Sequence, residues 1–356
     1  MTTPTGDGPA YKLPGGLNQF QGELYRHLIK WKWQYITREP GVVRKTKDGE
    51  VVEYSYDAIL PAEYQRNEQW PHLYPSIVET LKDHRKLNDF RIHNHFYHMA
   101  SSQAANLNLF LPLLGHPQAA AILQALKPDF AALATDQLDR GYCVEYWGGN
   151  FDKRRDGIKD SLLGDKTEQA GTDADIAIAY YNHQKELCLW LVEHKLTERE
   201  FTNCGGFKSG ERRKQQEKYT CTCSFAEILA DKGACYYHSA KGYKYWNITE
   251  RHPEIFVGCA PDGPCPFKGG LNQLWRNQLL ALAIEDQGTF KHVTFSVVRH
   301  PKNTTLNMSL IACTNLIGHN PTFSACTSLD VVQATERLGD PELAQWASWY
   351  RELYMI

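Results

Sequence analysis

Two apolar segments joined by a short polar connection constrain the fold of this chain more than any other feature. Residues 175–181 and 188–195 are rich in Ile, Tyr, Val and Leu, and the run NHQKE that separates them is short enough for a hairpin loop. Folding the chain about Gln184 and Lys185 places Asp175 across from the region of Glu193 and Lys195. Because side chains alternate along a strand, Glu193 and Lys195 are expected on one face of the sheet.

This hairpin would bring two carboxylates and an ammonium group to one point. The hard oxygens of Asp175 and Glu193 suit Mg²⁺ or Mn²⁺ rather than zinc. A divalent cation held there can polarise a phosphoryl oxygen and lower the pKa of a bound water, while Lys195 orients that water or neutralises developing charge. The residue types therefore indicate phosphodiester hydrolysis. A cross-strand ion pair on a solvated sheet face is the alternative interpretation of the same pattern.

Three further segments accompany the hairpin in a fixed order: SSQAANLNLF at 101–110, VEYW at 144–147 and QLWRNQLLA at 273–281. With these motifs the chain resembles a bacterial restriction-endonuclease-like family of the PD-(D/E)XK nuclease superfamily, over roughly residues 90–355. The resemblance implies an α/β fold with a restriction-endonuclease-like core, in which helices flank a central mixed sheet of four to five strands. Two positions depart from the pattern: no proline precedes Asp175, and the polar His194 occupies the middle of ExK, where an aliphatic residue is usual.

The resemblance assigns roles to the hairpin residues. It implies that Asp175 and Glu193 are metal ligands, that the backbone carbonyl of His194 is a further ligand, and that Lys195 is the catalytic lysine. Asp173 is a rival for the first ligand position, because it lies two residues before Asp175 and therefore on the same strand face.

Two residues outside the hairpin are similar to family positions. Glu145 resembles an additional acidic catalytic residue that precedes the hairpin in this superfamily, and a surface strand carboxylate is its alternative interpretation. Gln103 resembles a supporting residue on the helix packed against the active site, where an ordinary buried glutamine is the alternative.

A helix is predicted from about residue 271 to residue 286. Apolar side chains at helical spacing form its buried stripe: Leu271, Leu274, Trp275, Leu279 and Leu282. Gln273, Arg276 and Asn277 then share an adjoining face, from which they can contact DNA phosphates or hold Lys195 in place. An ordinary amphipathic helix explains the same periodicity.

Cysteines are concentrated in a predicted insertion at about residues 204–265. The chain has ten cysteines, and without a secretory signal they do not suggest a disulfide framework. Cys221, Cys223, Cys259 and Cys265 are candidates for a second metal site, holding zinc or an iron–sulfur cluster. Because no CxxC motif is present, reduced cysteines without a metal are the preferred interpretation.

Charge limits how this chain can meet nucleic acid. The net charge is only −2, so DNA binding would have to be local, with the basic runs at 153–155 and 207–219 as candidates and solvated surface as the alternative. His93, His95 and His98 precede the SSQ segment, but no single regular geometry gathers all three rings.

The predicted organisation is a disordered tail at 1–16, an N-terminal mixed region at 17–90 and a nuclease domain at 91–356, in which a strand at 292–300 follows the 271–286 helix. No apolar run reaches membrane-spanning length, and a cytoplasmic location without a membrane partner is expected.

The functional prediction is a Mg²⁺-dependent endodeoxyribonuclease, with Mn²⁺ as the substitute cation, that acts in defence against foreign or phage DNA. DNA is the expected partner, together with a second copy of the chain or a partner protein of a defence system. Two alternatives remain at this point: a nucleic-acid-binding protein that keeps the fold without cutting, and a nuclease directed at RNA.

Overall fold

The computed structural model describes residues 11–47, 50–88, 90–149, 161–166, 171–206 and 221–356. In these ranges the strands are β1 Gly41–Lys47, β2 Glu50–Tyr56, β3 Phe130–Leu133, β4 Tyr142–Tyr146, β5 Ala174–Asn182, β6 Leu187–Lys195, β7 His292–Arg299 and β8 Phe323–Thr327. The basic runs at 153–155 and 207–219, and residues 1–10 of the predicted tail, lie outside the described residues.

Helices cover both faces of the sheet. They are α1 Gln19–Tyr35, α2 Ala62–Arg66, α3 Val78–Asn88, α4 Ser102–Leu114, α5 Ala119–Gln124, α6 Phe225–Ala230, α7 Tyr236–Ser239, α8 Tyr245–Arg251, α9 Leu271–Glu285, α10 Asn307–Leu316, α11 Ser328–Glu336 and α12 Pro341–Tyr354. Side-chain caps begin several of them, such as Asn18 before α1, Ser101 before α4 and Asp340 before α12. Among the described residues, no helix combines the length and the apolar character that crossing a membrane requires.

The central sheet is mixed, as predicted. Its order is β3-β5-β6-β7-β8, and β4 also pairs with β5. Strands β5 and β6 form the predicted antiparallel hairpin, whereas β7 runs parallel to β6 after a crossover that includes α9, and β8 runs parallel to β7. The described sheet has six strands rather than four to five, because β3 pairs near the Asn182 end of β5 and β4 pairs near its Ala174 end.

Each face of the sheet has its own core. Along β6, Trp190 and Val192 belong to one buried cluster, and Leu189 and Leu191 belong to the other. The first cluster contains apolar residues of α1, α4, α11 and α12, and the second contains residues of α8, α9 and α10. Since Leu24 and other residues before 90 are buried in the first cluster, the N-terminal region shares a core with the body, and the domain boundary at residue 90 remains a prediction.

Helix α4 is fixed to the last helix of the chain, and this contact positions the SSQ segment. The side chain of Asn108 donates to the Tyr354 hydroxyl at 2.9 Å, and its oxygen accepts from the backbone N–H of Tyr74 at 2.7 Å. The indole of Trp346 donates to the Asn108 carbonyl at 2.8 Å. These bonds connect α4 to segments that are distant in the sequence. They therefore fix the position of Gln103, which lies near the start of α4.

Candidate active site

The β5–β6 hairpin brings the predicted acidic residues together. Ile176 pairs with Val192, so Asp175 and Glu193 occupy the next pair of facing positions, toward the open end of the hairpin. The backbone N–H of His194 donates to Asp175 Oδ2 at 2.6 Å, and Lys195 Nζ lies 2.7 Å from Glu193 Oε1. Asp175, Glu193 and Lys195 therefore form one group at the end of the hairpin.

Helix α9 holds both carboxylate oxygens of Glu193. Gln273 Nε2 donates to Oε1 at 2.7 Å, and Asn277 Nδ2 donates to Oε2 at 2.9 Å. The Gln273 oxygen in turn accepts from the backbone N–H of Thr202 at 3.0 Å, which fixes the orientation of its amide. These polar residues of the predicted helix face thus contact Glu193, and they reach Lys195 only through it.

Arg276 has a different environment from Gln273 and Asn277. Its Nη1 lies 3.4 Å from Thr172 Oγ1, and Thr172 donates to Asp165. The Tyr245 hydroxyl also donates to Asp165, at 2.7 Å. Arg276 therefore supports the segment that leads into β5 and is not placed among the carboxylates of the hairpin.

Glu145 joins the group from strand β4. Its neighbours Val144 and Tyr146 pair with Ile176 and Ala174, which puts Glu145 opposite Asp175. Its backbone φ of 53° is uncommon for a residue other than glycine and is often found at functional sites. Glu145 is 6% exposed, so the alternative of a surface carboxylate does not describe it. Burial raises the pKa of this carboxyl above its ordinary value.

Gln103 and His93 contact the Glu145 carboxylate. Gln103 Nε2 donates to Glu145 Oε1 at 2.8 Å, and His93 Nε2 lies 3.2 Å from Oε2. Gln103 also accepts from the backbone N–H of His93 at 2.9 Å, so one side chain anchors both partners. The hydrogen bond to Glu145 raises the pKa of His93 above its ordinary value.

His93 was missing from the residues selected by sequence. It lies in an irregular stretch between α3 and α4, so no strand or helix spacing could relate it to Glu145. His95 is exposed, and the ring of His98 packs against Tyr25 with centroids 5.2 Å apart. The three neighbouring histidines therefore have three separate environments, and only His93 contacts the acidic group.

Asp173 and Asp175 differ in their partners. Asp173 Oδ2 lies 2.7 Å from Lys166 Nζ, and about a third of the Asp173 side chain is exposed. Burial and the charges of Glu193 and Glu145 raise the pKa of Asp175 well above 3.8. Asp173 thus has its own cation, whereas Asp175 belongs to the buried acidic group.

The donor chemistry of this group suits a divalent cation. Asp175, Glu193 and Glu145 bring three carboxylates together with one ammonium group, on Lys195, and burial together with the charges of the other two carboxylates raises the pKa of Asp175. Within the described ranges, no group of three or more His, Cys, Asp or Glu side chains is arranged as ligands around one point. Both Glu193 oxygens accept hydrogen bonds from α9. The carboxylates therefore offer the hard oxygen ligands that such a cation prefers, although they do not all point toward one position.

His194 occupies the unusual position inside ExK. Its side chain is completely buried, and neither ring nitrogen has a hydrogen-bond partner among the described residues. Burial lowers the pKa of His194 to about 3, and the nearby charges of His300 and Lys195 act in the same direction. The ring is therefore a neutral core residue and leaves only the backbone carbonyl for a ligand role.

We expect His194→Leu to raise the free energy of unfolding by about 1 kcal/mol, because it removes two buried nitrogens that lack partners. The folded-state pKa lies below the unfolded value of 6.5, so the wild-type ring contributes a loss of stability as the pH falls from 6.5 toward 3. The variant should show a shallower acid dependence in urea unfolding at several pH values. A His194→Leu protein that is less stable than the wild type would contradict the expectation.

Comparison with protein-family models finds a match to the family described as Restriction Endonuclease associating with ARP, over residues 40–355. The match begins earlier than the resemblance predicted from sequence, in agreement with the core that residues before 90 share with the body. Searches of curated proteins and of solved structures returned no match. Since the family model spans most of the chain, the protein belongs to the restriction-endonuclease family that associates with ARP.

Proposed function

We propose that this protein is a Mg²⁺-dependent endodeoxyribonuclease that hydrolyses DNA phosphodiester bonds. The observation that carries the proposal is the arrangement around Glu193: both its oxygens are held by α9, Lys195 is 2.7 Å away, and Asp175 lies on the adjacent strand. A solvated ion pair would not require three polar partners for one buried glutamate. The family match supports a nuclease role in general, and the substrate and the cation are our proposal.

Asp175, Glu193 and the backbone carbonyl of His194 are the proposed ligands, and Mn²⁺ is expected to substitute for Mg²⁺. The cation would supply Lewis-acid polarisation of a phosphoryl oxygen and acidification of a water. Its binding would also compensate the carboxylate charges that, together with burial, raise the pKa of Asp175. Glu145 is the additional acid of the group, oriented by Gln103 and His93.

Lys195 acts in this proposal as a fixed positive charge. Burial would lower the pKa of its ammonium group, but the carboxylates of Glu193, Glu198 and Asp175 outweigh that effect and raise it. Lys195 therefore stays protonated at neutral pH and is unsuited to removing a proton. A preorganised charge in a water-poor site stabilises the negative charge that develops on the phosphoryl oxygens.

Substrate would approach from the side of His93 and Asp173. The side chain of His93 is 48% exposed and that of Asp173 is 32% exposed, whereas the side chains of Glu145 and Glu193 are each 7% exposed. An imidazole at the entrance can donate to a phosphate oxygen, and the raised pKa of His93 extends the pH range of its charged form. The inner carboxylates would meet only the scissile phosphate.

The biological role that we propose is defence against foreign or phage DNA, carried out in the cytoplasm with a second copy of the chain or another defence protein. Its support is the family description, which names a restriction endonuclease and an association.

The direct test is incubation of the purified protein with supercoiled plasmid, linear duplex DNA and structured RNA, each with Mg²⁺, with Mn²⁺ and with EDTA. We expect cation-dependent conversion of the supercoiled plasmid to nicked or linear forms. Cleavage of RNA alone would move the assignment to a ribonuclease. Tight DNA binding without cleavage under any cation would instead identify a binding protein that keeps the nuclease fold.

A further inference from the structure

Five cysteine side chains line one cavity between the end of β6 and the start of α9. They are Cys204, Cys221, Cys223, Cys235 and Cys265. All ten cysteines of the chain lie in the described part, and none forms a disulfide. The cavity measures about 20 Å³, which exceeds the roughly 10–15 Å³ that a single water needs. Half of the cysteines of the chain therefore line a cavity that is larger than a single water requires.

Electrostatic interactions link the thiols that line the cavity. Burial and the thiols of Cys204, Cys235 and Cys223 together raise the pKa of Cys221 to about 11. Burial likewise raises the pKa of Cys265 to about 12, with Cys235, Cys204 and Cys221 acting in the same direction. Cys204, Cys221 and Cys235 belong to both sets and Cys265 is the centre of the second, whereas Cys223 affects only Cys221, two residues away.

This set differs from the one selected by sequence. Cys259 was a candidate there, but it does not line the cavity, and burial alone raises its pKa. Cys204 and Cys235 replace Cys223 and Cys259 in the set, because the loop that follows β6 and the turn before α7 both line the cavity with the segment that leads into α9. Sequence spacing could not show this, since the contributing segments are distant along the chain.

Two buried nitrogen donors face the same space without partners. Asn272 and Trp246 both line the cavity, and each is 1% exposed. Among the described residues, neither polar atom of the Asn272 side chain has a hydrogen-bond partner, and neither does the indole nitrogen of Trp246. Buried donors are normally paired, so this pair points to an occupant that accepts hydrogen bonds. Metal-bound thiolate and sulfide are acceptors of this kind.

The remaining wall is apolar and would shield a charged centre from water. Ile228, Phe267 and Trp275 line it, and the rings of Phe267 and Trp275 stack with centroids 4.2 Å apart. Among the described residues of the lining, Lys268 is the one cation, and it reduces the cost of collecting negative charge there. Soft sulfur ligands in such surroundings select zinc or iron–sulfur centres over Mg²⁺.

We propose that Cys204, Cys221, Cys235 and Cys265 form a four-thiolate site for a thiophilic metal centre, either a zinc ion or an iron–sulfur cluster. The described sulfurs surround the cavity and do not converge on one point. An iron–sulfur cluster would fill that space, whereas a zinc ion with Zn–S bonds of about 2.3 Å would draw the sulfurs to roughly 3.8 Å from one another. The site is structural, because it lies apart from the carboxylates and uses ligands of the opposite softness.

The centre would tie the cysteine-rich segment to the helix that holds Glu193. Asn272 and Trp275 line the cavity from α9, and Gln273 and Asn277 of the same helix bind the Glu193 oxygens. Metal binding is therefore expected to stabilise α9 and the residues around it. This inference does not rest on the proposed nuclease function.

The test is elemental analysis of the full-length protein purified without oxygen, together with its sulfide content and visible spectrum. Near-stoichiometric zinc, or iron with matching acid-labile sulfide and a brown colour, supports the site and identifies its occupant. Protein that contains neither metal, and that fails to bind added zinc in competition with a chromophoric chelator, overturns it.

Matched variants locate the ligands. Cys265→Ser and Cys221→Ser should each lose the metal and lower the melting temperature, while Cys259→Ser and Cys223→Ser should keep it. Asn272→Leu leaves all four thiols in place and should weaken zinc affinity by about 10-fold or more. Full metal content in Cys265→Ser, or loss of metal in Cys259→Ser, would contradict the assignment of these four ligands.

Discussion

Lys195→Ala should reduce Mg²⁺-dependent DNA cleavage by at least about 100-fold, which corresponds to about 3 kcal/mol of lost transition-state stabilisation. The ammonium group is buried, lies 2.7 Å from Glu193, and stays charged because the surrounding carboxylates raise its pKa. Nothing else in the described acidic group supplies a buried, permanently positive charge, so no neighbour can replace it. The measurement is single-turnover cleavage of plasmid DNA at saturating Mg²⁺.

Controls separate this chemical loss from a folding defect. Lys195→Met keeps the apolar stem and should lose cleavage equally, and its melting temperature reports whether the core survives the loss of a buried charge. Lys166→Ala removes the other lysine of this edge, which pairs with the part-exposed Asp173, and should retain activity within a few-fold. Full cleavage by a folded Lys195→Met protein would show that the reaction occurs elsewhere.

Local patterns were sufficient to predict the hairpin and the helix of the site. Alternation along β5 and β6 relates Asp175 to Glu193 and Lys195, and a 3.6-residue period sets the buried stripe of α9. Both signals lie within one element or one short connection, so they do not depend on the rest of the fold. The order of β6, α9 and β7 follows from the same reading, because a crossover helix returns the chain to a parallel neighbour.

Contacts that join distant segments could not be predicted in this way. The pairing of β4 with β5 puts Glu145 opposite Asp175, and no residue preference announces a positive φ for a glutamate. His93 reaches Glu145 from an irregular loop that Gln103 anchors. Arg276 shares a helix face with Gln273 but contacts Thr172. The partner of each side chain depends on which segment of the chain packs against that turn of the helix.

Glu193 connects two parts of the molecule that are distant in the sequence. The hairpin supplies its backbone and the charge of Lys195, and α9 supplies two amide donors. One buried carboxylate therefore couples the sheet to the helix that also lines the cysteine cavity. A disturbance of α9 should reach the proposed reaction centre through Gln273 and Asn277, even where no catalytic group is altered.

Asp175→Asn should abolish cleavage while making the protein more stable, and this opposite change in two properties identifies a functional carboxylate. Burial and the charges of Glu193 and Glu145 raise the pKa of Asp175 well above 3.8, so the ionised form is unfavourable in the folded protein. For a carboxyl whose pKa is raised on folding, stability is lost as the pH rises above 3.8. The asparagine side chain is neutral, so the variant avoids that loss of stability. Its side-chain oxygen can still accept the hydrogen bond from the His194 N–H.

Asp173→Asn is the matched control, two residues away and just before the start of β5. Asp173 already has Lys166 as its partner and is a third exposed, so the amide should cost little stability and leave substantial cleavage. Cleavage rates, Mn²⁺ affinity by calorimetry and melting curves without added metal should be measured for both variants. We expect Asp175→Asn to cut at least about 100-fold more slowly, to bind Mn²⁺ more weakly and to melt at a higher temperature. The reverse pattern would make Asp173 the ligand and move the site by two residues.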